Sequence, residues 1–167
     1  MEPRIQPSEE RAELIERYAA GPGRLREALA QAPEAMRKWR PAEGEFSVHE
    51  IICHCADSET NAHARIRYLV AETDPVVLGY DPDNWARAFD YHNHPLDAAL
   101  ATVEAVRANT VPLLLRLPES AWLSEGRHTE SGRYTAAGWL RIYAAHLEEH
   151  TEQLQRVVAA WRAASPS

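Results

Sequence analysis

Residues 46–72 constrain the fold more than any other segment, because they contain no Gly or Pro and open with a strong helix-start signal. Ser47 and Glu50 are spaced as a capping box, with Ser47 as the N-cap and Glu50 as the third helical residue. Pro75 and the residues just before it stop the helix. The sequence therefore predicts one long helix from about residue 48 to residue 72.

Three more long helices are indicated by apolar residues at helical spacing. Proline interrupts or bounds these segments, because it lacks the N–H that a helix interior needs. The three are a helix capped by Ser8 and broken or kinked near Pro22, a helix that starts at Pro95 and is kinked by Pro112, and a helix from Thr135 to about Arg162.

The connections between these helices are long. We expect an ordered loop over residues 74–94, with a helical turn near residues 84–88, and a short hairpin over residues 122–134. Together the elements predict an all-α protein, namely a four-helix bundle with long connections and one short β-hairpin. A length of 167 residues suits a single domain over residues 1–167.

Charge and cysteine content exclude several classes of partner. The formal net charge is −7, whereas binding to a phosphate backbone relies on clustered Lys and Arg, so we expect no nucleic acid partner. No apolar run reaches the length of a bilayer span and no secretory leader is visible, so we expect no membrane association. Cys53 and Cys55 point about 200° apart on a helix and form no disulfide framework, which is typical of a cytoplasmic protein.

His146 and His150 are the first candidates for chemistry among the eight histidines. Residues four apart lie on one helix face, with Cβ atoms roughly 6 Å apart, so the two imidazoles can share one divalent ion. Two other interpretations stay open for the pair: a solvated helix face, or one histidine that is packed and hydrogen-bonded in the core.

His54 lies about two turns into the helix that begins after Ser47, on its core-facing side. A buried imidazole needs a partner, which is either a metal ion or a hydrogen bond to Asp57 or to a backbone carbonyl. If the two helices are neighbours, His54 joins His146 and His150 in a three-histidine set. Such a set leaves coordination positions open, as catalytic metal sites do.

The other five histidines are expected at the surface. His49 is in the first turn of its helix and should face solvent, and His63 points to the opposite side of the same helix from the candidate ligand. His92, His94 and His128 fall in loops.

Residues 146–150 also match H-x-x-E-H, the inverted zinc-protease pattern, in which Glu149 would be the general base. We rank this hypothesis last, because such enzymes need a further carboxylate ligand well downstream and only 17 residues follow His150. Glu148 and Glu149 are expected on the solvated side of the helix instead.

Several segments together resemble the DinB superfamily, especially its YfiT-like branch. Residues 46–59 (FSVHEIICHCADSE) are similar to its second-helix signature, W-S-x-x-[EQ]-[IVL]-[IVL]-x-H-[LV]-[AV]-D-S. Segments farther along the chain are similar to its loop, its third-helix start and its last helix, and the resemblance covers about residues 44–157. These segments are residues 71–75, residues 80–85, residues 95–97 and the run His146-x-x-x-His150-x-x-Gln153.

Three positions depart from the pattern of that branch. Phe46 replaces the usual Trp and Cys55 replaces an aliphatic residue, which are changes in packing. Gln153 stands where some members have a further histidine, so fewer metal ligands are available than in those members.

The resemblance implies a four-helix bundle in which His54, His146 and His150 hold one divalent metal ion. Some members transfer a low-molecular-weight thiol such as bacillithiol or mycothiol, and others are proposed metal-dependent hydrolases. The expected function is therefore metal-dependent thiol transfer to an electrophile, or hydrolysis of a small substrate. The alternative is a non-catalytic metal-binding or stress-related module.

The sequence offers no obvious protein nucleophile, so it assigns no catalytic residue. Asp57, Tyr143 and Gln153 are candidates to line the pocket or to orient the ligands. Three imidazoles suit zinc or nickel first, and iron or copper next. A homodimer is the expected assembly, because bundles of the resembling family often pair through their helices.

Overall fold

The computed structural model of the protein describes residues 9–165, so the predicted cap at Ser8 lies outside the described residues. Four long helices pack into a bundle, as the sequence predicts, and a fifth helix is short. The helices are α1 (Glu9–Ala30), α2 (Val48–Ala71), α3 (Pro82–Ala88), α4 (Leu96–Arg116) and α5 (Ala136–Ala164).

The order of the helices around the bundle differs from their order in the chain. The helix α1 packs against α5 and α4, and α2 packs against the same two helices. Successive long helices α1 and α2 are therefore diagonal partners, with α5 and α4 between them. This arrangement makes α2 and α5 neighbours, which is the condition that a shared histidine site requires.

The start of α2 confirms the predicted capping box. The Ser47 Oγ accepts a hydrogen bond from the Glu50 N–H at 3.2 Å, and Oε2 of Glu50 accepts one from the Ser47 N–H at 2.9 Å. Thr135 caps α5 in the same way, because its Oγ1 accepts a hydrogen bond from the Gly138 N–H at 3.0 Å. Both helices thus begin where local sequence signals place them.

The sequence predicts a break or a kink near Pro22, and the break is wrong, because α1 continues through this residue. Proline has no N–H for the carbonyl oxygen four residues earlier, which belongs to Tyr18. That oxygen instead accepts a hydrogen bond of 2.6 Å from Nη1 of Arg107 on α4. A Cβ at Gly21 would lie 2.7 Å from the same nitrogen, so glycine is needed for the close approach.

The connections carry more regular structure than a loop and a hairpin. The hairpin is present as β2 (Glu125–His128) and β3 (Gly132–Thr135), which pair antiparallel. A third strand, β1 (Val76–Val77), pairs parallel with β2 and ties the connection after α2 to the hairpin. A strand of two residues is too short for its own sequence to show a period.

A polar layer divides the apolar core along the bundle axis. One apolar cluster is built around Leu25, Ile52, Val103 and Leu154, and the other around Tyr18, Ile66, Leu114 and Trp139. The layer between them contains buried charged groups on α2 and α4 and reaches the histidines of α5. By length and composition alone α4 could cross a membrane, but in the structure it packs against α1 and α2.

Candidate metal centre

The helices α2 and α5 bring the three candidate imidazoles together. One ring nitrogen from each of His54, His146 and His150 lies within 4.8 Å of the other two. His54 is buried with 7% of its surface exposed, and the two histidines of α5 are half-buried. The centroids of the two α5 rings are 4.5 Å apart, as expected for a pair spaced by one helical turn.

A glutamine one turn farther along α5 fixes the orientation of His150. The Nδ1 atom of His150 lies 2.8 Å from Oε1 of Gln153, and this hydrogen bond places the ring proton on Nδ1. The Nε2 lone pair of His150 is then directed at Nε2 of His54, 3.2 Å away. Gln153 therefore holds one imidazole in the tautomer that a metal ligand requires.

His146 contacts polar side chains of α2 through both of its ring nitrogens. Its Nε2 atom lies 3.1 Å from the Ser58 Oγ, and its Nδ1 atom lies 3.4 Å from Oε1 of Glu59. The second approach has the distance of an ion pair without the geometry of a hydrogen bond, so Nδ1 has no hydrogen-bond partner among the described residues. A proton on Nδ1 facing the carboxylate would leave the Nε2 lone pair for a ligand.

Glu59 forms a buried ion pair with Arg107 behind His146. The guanidinium donates to both carboxylate oxygens, at 2.9 and 2.6 Å, and the two side chains are 0–1% exposed. Burial alone would raise the pKa of Glu59, but Arg107 and His146 lower it more, so the carboxylate stays ionised. Arg107 also donates to the carbonyl oxygen of Tyr143 at 2.8 Å.

Sequence reasoning missed this ion pair, although one signal of it was present. Arg107 falls on the apolar stripe of α4, between Val103 and Leu114, where a charge must find a partner in the core. The identity of that partner depends on α2, which lies 48 residues away in the chain.

Burial keeps two of the three imidazoles uncharged at neutral pH. Removal from water, together with the smaller effects of the neighbouring imidazoles of His150 and His146, lowers the pKa of His54 to about 3. Burial also lowers the pKa of His150 to about 4, together with the effect of His146, whereas Gln153 acts in the opposite direction. These two rings therefore present lone pairs, not charges, near pH 7.

The donor set fits a divalent metal ion. Neutral imidazole is the commonest protein ligand for such ions. Two nitrogens bound at 2.0–2.1 Å in a tetrahedral arrangement lie about 3.3 Å apart, and the Nε2 atoms of His54 and His150 are separated by 3.2 Å. The Nδ1 atom of His54 is buried without a hydrogen-bond partner among residues 9–165, so the ring is held by packing and by the cluster.

The other sequence candidates have separate environments. The Asp57 Oδ2 accepts a hydrogen bond of 2.5 Å from the Tyr91 hydroxyl, and no described hydrogen bond joins Asp57 to the three histidines. The Tyr143 ring packs against His146 with centroids 5.7 Å apart. Glu149 is exposed, as expected for the solvated side of α5, and Glu148 forms ion pairs with two arginines of α1.

Two histidines predicted to lie at the surface are buried, and those predictions are wrong. His49 is 7% exposed because its Nε2 bonds the His94 carbonyl oxygen at 2.9 Å, which ties the start of α2 to the residues before α4. His128 is 8% exposed and lies in β2, where its Nδ1 accepts hydrogen bonds from two backbone N–H groups of the turn that follows. The His49 contact joins segments 45 residues apart, which sequence spacing alone does not bring together, whereas the His128 contacts lie within one turn.

Neither cysteine is a reactive thiol. Cys53 and Cys55 are both buried and unpaired by disulfides. Burial raises the pKa of Cys53 to about 12 and raises that of Cys55 well above its ordinary value. The thiols therefore stay protonated near neutral pH, and neither supplies a nucleophile.

Comparisons with known proteins show the family of this chain. A family model described as the DinB superfamily matches residues 17–154. A protein of Oceanobacillus iheyensis, provisionally named a metal-dependent hydrolase, is 34% identical over 107 residues, which are 64% of this chain and 62% of that protein. A protein of Bacillus mycoides with the same provisional name is 27% identical over 111 residues, 66% of this chain and 64% of that protein. The matched part is just under two thirds of the length of each relative.

A solved structure shares the fold of the whole bundle. The structure of YfiT from Bacillus subtilis, described as having an unusual four-helix bundle topology, superposes with a TM-score of 0.85. The superposition covers 96% of this chain and 93% of that chain at 20% sequence identity, so it shows the fold alone.

Proposed function

Because the chain belongs to the DinB superfamily, we propose that it is a metal-dependent hydrolase of a small substrate, with one divalent ion held by His54, His146 and His150. The observation that carries this proposal is the convergence of three ring nitrogens within 4.8 Å, two from α5 and one from α2. The provisional names of the relatives support the same class of reaction.

The protein side of the reaction follows from the contacts of the three ligands. A divalent ion bound by three neutral imidazoles keeps positions open for water and lowers the pKa of that water toward neutrality. Gln153 fixes the tautomer of His150, and the Glu59 carboxylate faces the Nδ1 atom of His146 at 3.4 Å. The Ser58 hydroxyl, 3.1 Å from Nε2 of His146, borders the same space and can hydrogen-bond to a water or a substrate there.

The ligand set favours zinc or nickel over harder ions. Imidazole nitrogens suit zinc, nickel, copper and iron, whereas magnesium and calcium prefer oxygen ligands. The site as described offers nitrogens and one serine hydroxyl, and its nearest carboxylate is already neutralised by Arg107.

Metal content is the direct test of the site. Protein purified without a histidine tag should retain about one equivalent of metal, and His54→Ala or His150→Ala should retain less than about one-tenth of an equivalent. His63→Ala is the matched control, because His63 lies on the same helix as His54 and bonds Thr110 of α4 instead of facing the cluster. Equal metal content in wild type and both cluster variants would overturn the site.

Turnover then separates hydrolysis from the alternatives. Metal-loaded protein should hydrolyse simple esters, with activity lost in His150→Ala while far-UV circular dichroism stays unchanged. Turnover that requires an added low-molecular-weight thiol would replace hydrolysis by thiol transfer. Because Cys53 and Cys55 are buried and protonated, that thiol would have to come from a second substrate. Metal-dependent thermal stability without any turnover would favour a non-catalytic module.

A further inference from the structure

Arg65 lies on the same face of α2 as His54, three helical turns farther along. Its Nη1 donates a hydrogen bond of 2.9 Å to the Tyr143 hydroxyl, and its Nη2 donates to the carbonyl oxygen of Leu78 in the connection after β1. The guanidinium thus sits between α2, α5 and that connection.

The charge of Arg65 is not neutralised by the protein. Both of its hydrogen-bond acceptors are neutral oxygens, and no carboxylate among residues 9–165 approaches it to ion-pair distance. Its Nε atom is buried and has no hydrogen-bond partner in the described chain. An unsatisfied donor on a half-buried guanidinium costs folding free energy, unless a ligand accepts its hydrogen bond.

Hydroxyl groups surround this guanidinium. We name the Arg65 cluster as Ser58, Arg65, Tyr80, Tyr134 and Tyr143. Burial raises the pKa of Tyr80 to about 12, against smaller opposing effects of Ser58 and Arg65, and burial likewise raises the pKa of Tyr134. These two phenols are therefore protonated near neutral pH and can donate hydrogen bonds to an anion.

The cluster adjoins the three histidines directly. The Ser58 hydroxyl lies 3.1 Å from Nε2 of His146, and the Tyr143 ring lies against the His146 ring. Ser58 and Arg65 are seven residues apart, which is about 10 Å along a helix, and the arginine side chain spans much of that distance toward Tyr143. A small molecule can therefore reach both places at once.

Asp57 and Glu130 lie near the Arg65 cluster, but neither carboxylate forms an ion pair with Arg65. Asp57 lies near Tyr80 and is already hydrogen-bonded to Tyr91. Glu130 is exposed, and its carboxylate lies against the backbone of Gly79. Both disfavour a multiply charged anion at this place, so a single carboxylate suits it better than a phosphate.

We propose that the Arg65 cluster is a subsite for a carboxylate group of the substrate, so that the hydrolase acts on small molecules that carry a carboxylate several bonds from the bond that is cleaved. Arg65 pairs with the carboxylate, and a tyrosine hydroxyl donates to it. The subsite rests on the proposed function because it positions the reacting group at the histidines.

Two esters that differ only in the carboxylate test this specificity on metal-loaded protein. Mono-4-nitrophenyl glutarate carries the anion, and 4-nitrophenyl pentanoate is its neutral counterpart. Wild type should prefer the anionic ester in kcat/KM by roughly 10-fold or more, mainly through KM, since hydrogen bonds to charged groups have about this strength. Arg65→Gln should lose the preference, so that the ratio of kcat/KM for the two esters falls toward one.

Arg67→Gln is the matched control. It removes the same charge from the same helix two residues away, where Arg67 bonds Asn109 and the His63 carbonyl oxygen on the side facing α4. This variant should keep the preference for the anionic ester. Equal preference in wild type, Arg65→Gln and Arg67→Gln would overturn the subsite and leave the hydrolase proposal standing.

Binding of glutarate, measured by calorimetry, separates the subsite from the reaction. The dissociation constant should rise by about 10-fold in Arg65→Gln and stay unchanged in Arg67→Gln, because direct coordination to the ion is common to all three proteins. If no ester is hydrolysed and this difference persists, the hydrolase proposal fails and the subsite stands. Equal affinity in all three proteins would overturn the subsite.

The salt dependence of wild-type protein tests the subsite if Arg65→Gln does not fold. The KM for the anionic ester should rise with sodium chloride while that for the neutral ester stays constant, since salt screens a half-exposed ion pair. The same salt dependence for both esters would overturn the subsite.

Discussion

Two arginines donate hydrogen bonds to Tyr143, and their environments differ. Arg107 donates to the backbone carbonyl oxygen of Tyr143 at 2.8 Å, and Arg65 donates to its hydroxyl at 2.9 Å. Arg107 is 1% exposed and fully neutralised by Glu59, whereas Arg65 is half-buried and faces only neutral oxygens. A guanidinium whose charge and donors are satisfied internally is costly to remove, because its partner would be left buried and charged, whereas one with an unsatisfied donor stays available to a ligand.

The interior arginine compensates for features that would each be unfavourable alone. It neutralises the carboxylate of Glu59 and supplies the hydrogen bond that Pro22 cannot give to the Tyr18 carbonyl oxygen. Its guanidinium also stacks on the Tyr18 ring, with the carbon atom 4.0 Å from the ring centroid. Arg107 therefore links α4 to α1 through Tyr18, to α2 through Glu59 and to α5 through Tyr143.

The largest expected effect on stability comes from replacing Arg107, the interior arginine. Arg107→Met should lower the free energy of unfolding by about 3–5 kcal/mol, because it leaves the Glu59 carboxylate buried without its partner. Urea denaturation followed by circular dichroism measures the change. The double variant Arg107→Met with Glu59→Gln should recover part of the loss, and a single variant as stable as wild type would refute a structural role for the pair.

Removing the charge of an ion pair that has one exposed partner should have an intermediate effect on stability. Glu50 is 3% exposed and bonds Arg40, whose side chain is 51% exposed. Glu50→Gln keeps a residue able to form the capping box and removes only the charge, so the loss at pH 7 should be below about 1 kcal/mol after screening by water.

The same variant gives a pH dependence whose sign is fixed. Burial alone would raise the pKa of Glu50, but the hydrogen bonds from Arg40 and Ser47 lower it by more. The net pKa is therefore below 4.5. The folded-state pKa is thus depressed, so its contribution is present above pH 4.5 and is lost as the pH falls through the lower value. Stability curves of wild type and Glu50→Gln should converge in acid; a constant difference from pH 7 to pH 3 would contradict the depressed pKa.

The smallest effect on stability is expected at Arg65. Arg65→Gln should change the free energy of unfolding by less than about 0.5 kcal/mol, because the residue is half-exposed and neutralises no carboxylate. Arg67→Gln, measured in parallel, should give a change of similar size. A loss comparable to that of Arg107→Met would mean that Arg65 is a structural residue, and the contrast between the two arginines would disappear.

The features that the sequence predicts well depend on nearby residues. Ser47 and Glu50 are three positions apart, and His146 and His150 are four apart, so helix geometry alone relates them. The placement of His54 beside the α5 pair needed one further assumption, that the two helices are neighbours. Whether the three histidines bind a metal stays a prediction.

The features that the sequence does not reveal depend on contacts between distant segments. The hydrogen bond that lets α1 continue past Pro22 comes from Arg107, which is 89 residues from its acceptor. His49 is buried through a carbonyl oxygen 45 residues away. Local propensity predicts a helix break in the first case and an exposed side chain in the second, and the tertiary structure overrides both.

The diagonal placement of α1 and α2 has a consequence for synthesis of the protein in the cell. His54 and His150 are 96 residues apart, so a ribosome adding about 5–20 residues per second makes the last of the three histidines roughly 5–20 s after the first. Until α5 emerges, α1 and α2 lack a helix that fills the space between them on that side of the bundle. Under the proposed function, metal loading would therefore follow synthesis of the two histidines of α5, because a nascent chain that has made only α1 to α4 exposes a single imidazole of the three.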